Sequence, residues 1–189
     1  MNSRAKTGRP RPTLNAASLG ELALRYVGKY ATTRAKLRTY LARKVTERGW
    51  HGERSPDLEA LVNRMAELGY IDDAAYALSK SRSLSSRGYG ERRLAQKLRD
   101  AGVENDDRVA AYAHALSEAV AAALRFAERR RLGPFATCPG ADRAQREKWI
   151  AALVRAGHNF ALSRAIAYLE PGAEIDLDQL RERARLVDA

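Results

Sequence analysis

The apolar residues of this chain recur at helical spacing, in short runs that glycine or proline cuts off. Leu19, Leu22, Ala23, Tyr26, Val27 and Tyr30 form one stripe at i, i+3, i+4, i+7, i+8 and i+11. Leu37, Tyr40, Leu41 and Val45 repeat it after Thr32-Thr33, a cap signal, and Leu58, Leu61, Val62 and Met65 repeat it again. The third run is expected to start with Ser55 as N-cap and Pro56 at the first helical position, with Asp57 and Glu59 at the positive end of the dipole. Gly69 then suits the left-handed position past its end, and Tyr70 the closing contact of a Schellman motif. Asp72 or Asp73 caps a helix to about Ser86, and Gly88-Tyr89-Gly90 breaks it. Glu91 opens the next helix, with Leu94 and Leu98 inward and Gly102 at its end. Residues 106–131 contain no Gly or Pro and read as one long helix or as two meeting at a bend. Gly133-Pro134 stops that stretch and Pro139-Gly140 marks a loop. Trp149, Ile150 and Leu153 mark a helix ending at Gly157, and Phe160, Ala161, Ala165, Ile166 and Leu169 another before Pro171. Leu177, Leu180 and Leu186 suggest a short amphipathic end. With 35 Ala and 22 Leu against 12 Val+Ile, side-chain entropy favours helix over strand. The expected class is all-α.

The punctuation has a longer period. Leu37-x-x-x-Leu41-x-x-x-Val45 becomes Leu94-x-x-x-Leu98-x-x-x-Gly102-Val103 after a shift of 57 residues, and Trp149-x-x-x-Leu153-x-x-x-Gly157-His158 after a further 55. Each block has a helical segment before it and another after it. The spacing predicts three tandem three-helix repeats stacked into an elongated, curved array, since units this small bury their apolar faces only by stacking. The expected bounds are a disordered basic arm over 1–13, repeats over 14–70, 71–117 and 118–170, and a tail over 171–189. The residue before the first core position is basic in all three units, Lys36, Arg93 and Lys148; the residue six past it is Arg43, Asp100 and Arg155. The recurrence suggests a shared basic face on the middle helices; a solvated face of an Arg-rich protein is the plainer alternative.

A net charge of +11 points to a polyanionic partner without bearing on the fold. The charge concentrates in the first 13 residues, in 25–54 and in 80–99, where seven basic residues meet only Glu91. The first segment, with Gly8, Pro10 and Pro12, is too polar to fold alone and reads as a mobile arm, more simply a solubilising leader than a segment with a dedicated role. Arg129-Arg130-Arg131 is a further basic run with no assigned role.

Several chemistries lack their residues. The single Cys138 excludes a disulfide framework, and no Cys/His cluster suits zinc. No glycine-rich phosphate loop, H-E-x-x-H or G-x-S-x-G is present. His51, His114 and His158 lie far apart and read as surface or helix-end residues, with His158 at a helix terminus that favours a cation. Asp72-Asp73 reads as helix capping and not as a metal site. No run of about 18 apolar residues could span a bilayer, and the basic N-terminus has no apolar segment after it. The expectation is a cytoplasmic, monomeric binding protein, with no cofactor and no catalytic residue.

The stretch 61–77 (L-V-N-R-M-A-E-L-G-Y-I-D-D-A-A-Y-A) is followed by Ser81-Arg82 and then by 87–99 (R-G-Y-G-E-R-R-L-A-Q-K-L-R). This resembles the RecX family of bacterial regulatory proteins, whose pattern runs L-x-x-x-G-Y-[IV]-[DN]-D-x-x-[YF]-A, then S-R, then R-G-Y-G-x-x-[RK]-[IL]. Residues 32–37 (T-T-R-A-K-L) resemble the family's first-repeat motif R-[ST]-x-x-E-[LM], with Lys36 where an acidic residue is common. Residues 155–160 (R-A-G-H-N-F) resemble the third-repeat motif. The resemblance covers roughly residues 18–170.

The resemblance implies three tandem three-helix repeats without a catalytic site. It implies a partner as well, the RecA recombinase and its filament on single-stranded DNA. Members block filament extension or promote disassembly, and so dampen RecA ATPase, strand exchange and co-protease activity in recombination and the SOS response. On the basic segments, the expected partner-binding residues are Lys36, Arg43, Lys44, Arg82, Arg87, Tyr89, Arg92, Arg93, Lys97 and Arg99. Tyr89 is either an interface anchor or core packing of its turn. A basic DNA-binding module acting without RecA and a scaffold for an unrelated protein are the alternatives.

Overall fold

The computed structural model describes residues 12–137 and 140–185. The expected arm, except for its last two residues, lies outside them, as do Cys138, Pro139 and Leu186. The described residues hold ten α-helices, two 3-10 turns and no strand, so the chain is all-α.

The helices of the unit Met1–Asp72 are α1 (Ala16–Val27), α2 (Arg34–Arg48) and α3 (Leu58–Glu67). Each start has a side-chain cap that satisfies an otherwise orphan N–H. Asn15 Oδ1 accepts from Ser18 N at 2.9 Å, Thr33 Oγ1 from Lys36 N at 3.2 Å and Asp57 Oδ1 from Ala60 N at 2.9 Å. The third cap differs from the expected one. Asp57 is the N-cap and Ser55-Pro56 precede the helix, because Asp57 is the residue whose oxygen reaches the N–H three positions on. Leu14, Leu19, Ala23, Leu37, Leu41, Val62, Met65 and Ile71 form one buried cluster. Tyr26 stacks on Tyr40 at 4.3 Å between centroids and so ties α1 to α2. Leu14 bonds across to Gly49 and His51, an isolated bridge that fastens the segment before α1.

The unit Asp73–Ala189 contains α4 (Asp73–Ser86), α5 (Glu91–Asp100), α6 (Val109–Ser117), α7 (Ala119–Arg130), α8 (Arg143–Arg155), α9 (Phe160–Ala167) and α10 (Leu177–Arg185). The unbroken stretch 106–131 is a 3-10 turn and two helices, with Glu118 at the break. Two clusters fill this unit. Ala77, Leu84, Leu94, Leu98, Ala101, Val103, Ala111 and Ala115 belong to α4–α6 and their connections. Val120, Phe126, Trp149, Leu153, Leu162, Ile166 and Leu180 lead the other, on α7–α10. With the first unit, this makes three consecutive helical groups, of three, three and four helices, each around its own core. Leu37, Leu41, Leu94, Leu98, Trp149 and Leu153, the positions aligned by the repeat, are all buried. Phe160, one of the residues that mark α9 in the sequence, lies outside the core. It is 53% exposed, and Leu162, Ala165 and Ile166 cover the core side of α9.

The joint between α4–α6 and α7–α9 is backbone against backbone. Gly88 faces the α7 backbone so closely that a Cβ there would lie 2.8 Å from Phe126 N. A Cβ on Gly90 would lie 2.4 Å from the Gly157 carbonyl, and one on Gly157 would lie 2.6 Å from Arg93 N. Gly90 N donates to Ala156 O and Arg92 N to Gly157 O, at 3.0 and 3.1 Å. The first turn of α5 is therefore capped by the end of α8. His158 belongs to this joint and corrects the helix-end expectation. It is 2% exposed, beside Phe126, and its Nε2–H donates to Gly88 O at 3.1 Å. Burial lowers its pKa to about 4, against the raising effect of the Gly88 bond, so it is neutral at pH 7.

Candidate functional site

The Gly88–Gly90 turn carries Tyr89 into the seam between two cores; it is half-buried and packs on both. Its ring gathers guanidinium groups, with Arg93 at 4.9 Å from the centroid, Arg87 at 5.4 Å and Arg129 at 6.0 Å. Phe126 beside it takes Arg129 at 5.6 Å and Arg130 at 5.9 Å. Arg129 Nη1 also donates to Arg87 O at 2.8 Å, which bonds the end of α7 to the turn.

Around Tyr89 the structure opens a hollow of about 740 Å³, lined by Tyr89, Arg93, Phe126, Arg129, Arg130, Leu132, Ala152, Arg155 and Ala156. A second hollow of about 300 Å³ adjoins it through Arg93 and Arg155, and Arg92, Gln96 and Lys97 line its α5 wall. The two form one groove along α5, facing α7 and the end of α8. Arg92, Arg93, Lys97, Arg129, Arg130 and Arg155 line it and Arg87 stands beside it over the Tyr89 ring, all seven exposed. None of the seven has a carboxylate partner among the described residues. Some cations elsewhere are paired, Arg38 with Glu59 at 3.2 Å, Arg125 with Glu118 at 2.7 Å and Arg143 with Glu147 at 2.9 Å. Like charges gathered without counter-charge make the groove locally positive, which favours an anion in it over a cation.

Five of the ten expected residues, Arg87, Tyr89, Arg92, Arg93 and Lys97, come together here. Arg99 donates to Gln96 Oε1 at 2.8 Å, at the edge of the same helix face. Arg82 is exposed on α4 and does not line the groove. Lys36, Arg43 and Lys44 belong to α2 of the other unit. There Arg43 pairs with Glu47 at 3.5 Å, Lys44 pairs with the same carboxylate, and both stand over the Tyr40 ring. Lys148, which the repeat aligns with Arg93, lines a separate hollow with Arg130, Arg131 and Trp149.

Sequence reasoning left out Arg129, Arg130 and Phe126 as site residues. The run Arg129-Arg130-Arg131 was its only signal, and nothing in the order of residues ties 129 to 89. Arg155 carried a weak sign, as a basic position on a middle helix. Ser81 and His114 look like a catalytic pair but are not wired as one. Ser81 Oγ donates to Ala111 O at 2.8 Å and so accepts from His114 Nδ1 at 3.1 Å. Among the described residues no three His, Cys, Asp or Glu side chains converge as for a metal, and no helix is long and apolar enough to cross a membrane.

Residues 72–115 match the model of the second three-helix domain of RecX. Over 171 residues, 86% of this chain and 90% of the relative, the sequence is 37% identical to the regulatory protein RecX of Myxococcus xanthus strain DK1622. It is 30% identical over 172 residues to that of Mycobacterium sp. strain JLS, covering 88% of this chain and 87% of the relative. In structure it is similar to RecX from Lactobacillus salivarius, with a TM-score of 0.55 at 16% identity, over 91% of this chain and 96% of the other.

Proposed function

The chain belongs to the RecX family of regulatory proteins, and on that premise we propose that it binds RecA and the RecA filament on single-stranded DNA. It blocks filament extension or promotes disassembly, and so inhibits RecA ATPase, strand exchange and co-protease activity. The protein is a cytoplasmic monomer that works by binding and not by catalysis. Its working units are the repeats at 14–70, 71–117 and 118–170. The observation that carries this reading is the groove at Tyr89, where seven cations without carboxylate partners await an anionic surface. Arg87, Tyr89, Arg92, Arg93 and Lys97 make the main contact, with Arg82 and Arg99 at its margins and Lys36, Arg43 and Lys44 as a separate contact on α2.

The test is the single-strand-dependent ATPase of RecA with this protein titrated in. Inhibition at a small molar fraction of RecA is expected if filament ends are capped, and inhibition only near saturation if the groove of the filament is filled. Reversing Arg92, Arg93 and Lys97 to Glu should abolish inhibition with helicity unchanged; full inhibition by that variant would remove α5 from the interface. The same unpaired cations favour one second reading, a module that binds DNA without RecA. Tight binding to bare DNA with no effect on RecA would select it.

A further inference from the structure

Resting on the reading of the Tyr89 groove as the working surface, we propose that it is a phosphate site, built to hold consecutive phosphate groups directly. Three guanidinium groups converge on one ring, Arg93, Arg87 and Arg129 at 4.9, 5.4 and 6.0 Å. Held over an aromatic face, a guanidinium keeps its N–H edge available, and less side-chain freedom is lost when an anion docks. A carboxylate presents its lone pairs in one plane. A phosphate group, with oxygens in several directions, accepts from two or three arginines at once. Convergence therefore suits phosphate. The arginines occupy the ring of Tyr89, so it positions cations and does not stack on a base. The ligand is accordingly read by charge and not by base identity. The Arg92 N–H of the first turn of α5 is not available to the ligand, because the Gly157 carbonyl already takes it. The second hollow continues the groove past Arg93 and Arg155 to Arg92 and Lys97, which gives a further phosphate its own cations. Consecutive phosphates come from a nucleic acid backbone or from a free polyphosphate.

The test titrates the full chain with inorganic triphosphate by calorimetry and with labelled oligothymidylate by anisotropy, across a salt series. Arg129→Gln with Arg155→Gln should weaken binding at least tenfold. On the strand it should also flatten the log–log salt slope, by about 0.7 per phosphate contact removed. The paired Lys substitutions should recover part of the affinity, which a folding defect would not allow. Tyr89→Leu should weaken binding several-fold with the salt slope unchanged. Losses on both ligands, on the strand alone or on triphosphate alone support the site and identify its source of phosphate. Affinities that ignore all these substitutions overturn it. If those variants nonetheless stop inhibiting RecA, an acidic protein surface fills the groove and the functional reading survives. If phosphate binding falls while inhibition of RecA is untouched, the phosphate site stands and that reading fails.

Discussion

A histidine at 158 would ordinarily share a proton with water near pH 6.5, and this one cannot. Burial holds its folded pKa at about 4, while the unfolded chain restores the ordinary value. Between those values the unfolded state binds more protons than the folded one. Stability is therefore full above pH 6.5 and falls as the pH drops toward 4, by about 3 kcal/mol at the limit. Urea midpoints measured from pH 7 to pH 4 should fall more steeply for the native chain than for His158→Gln; parallel curves would remove His158 from the titration. Arg131 makes the opposite kind of point. It occupies the left-handed region at φ 53°, where the ends of α3, α4, α5 and α8 place Gly69, Gly88, Gly102 and Gly157. A side chain there is strained, and Arg131→Gly should stabilise by about 0.5–1 kcal/mol in chemical denaturation.

Helix ends were the most legible elements, because they are decided by neighbours in sequence. At the end of α3, Gly69 N donates to Ala66 O and Tyr70 N to Met65 O, the Schellman pair read from Gly69-Tyr70. Gly102-Val103 and Gly157-His158 close α5 and α8 in the same way. The start of α5 was legible in position only. Gly90 offers no side-chain cap, and the carbonyl that serves the first turn comes from Gly157, 67 positions away. Gly90→Ala or Gly157→Ala drives a Cβ into backbone that cannot yield, so each should cost about 2 kcal/mol or more, read as a lower thermal midpoint. Gly140→Ala, which meets open space, tests the left-handed strain alone and should cost about 1 kcal/mol.

Across the molecule the chain divides into Met1–Asp72 and Asp73–Ala189. The second unit holds two cores locked through Gly88, Gly90 and Gly157, so a fragment over 73–189 should fold alone, with one cooperative loss of helical circular dichroism. Two separated transitions would mean that the joint does not couple the cores. What the order of residues settled is local: helical period, glycine and proline stops, the buried Leu and Trp positions of three groups, and the motif at 61–99 that marks the family. These follow from contacts three or four positions apart, which the chain makes wherever it goes. The groove is different in kind. Arg87 and Arg93 meet Arg129, Arg130 and Arg155 only because a turn of two glycines lets backbones touch, and the same packing buries His158 and half-buries Tyr89. Charge read along the sequence gives sums over segments. Only the fold places cations from the α4–α5 turn, α5 and α7 around one ring, adds Arg155 of α8 to the same lining, leaves carboxylates out of it, and so gathers an overall excess of positive charge into a groove.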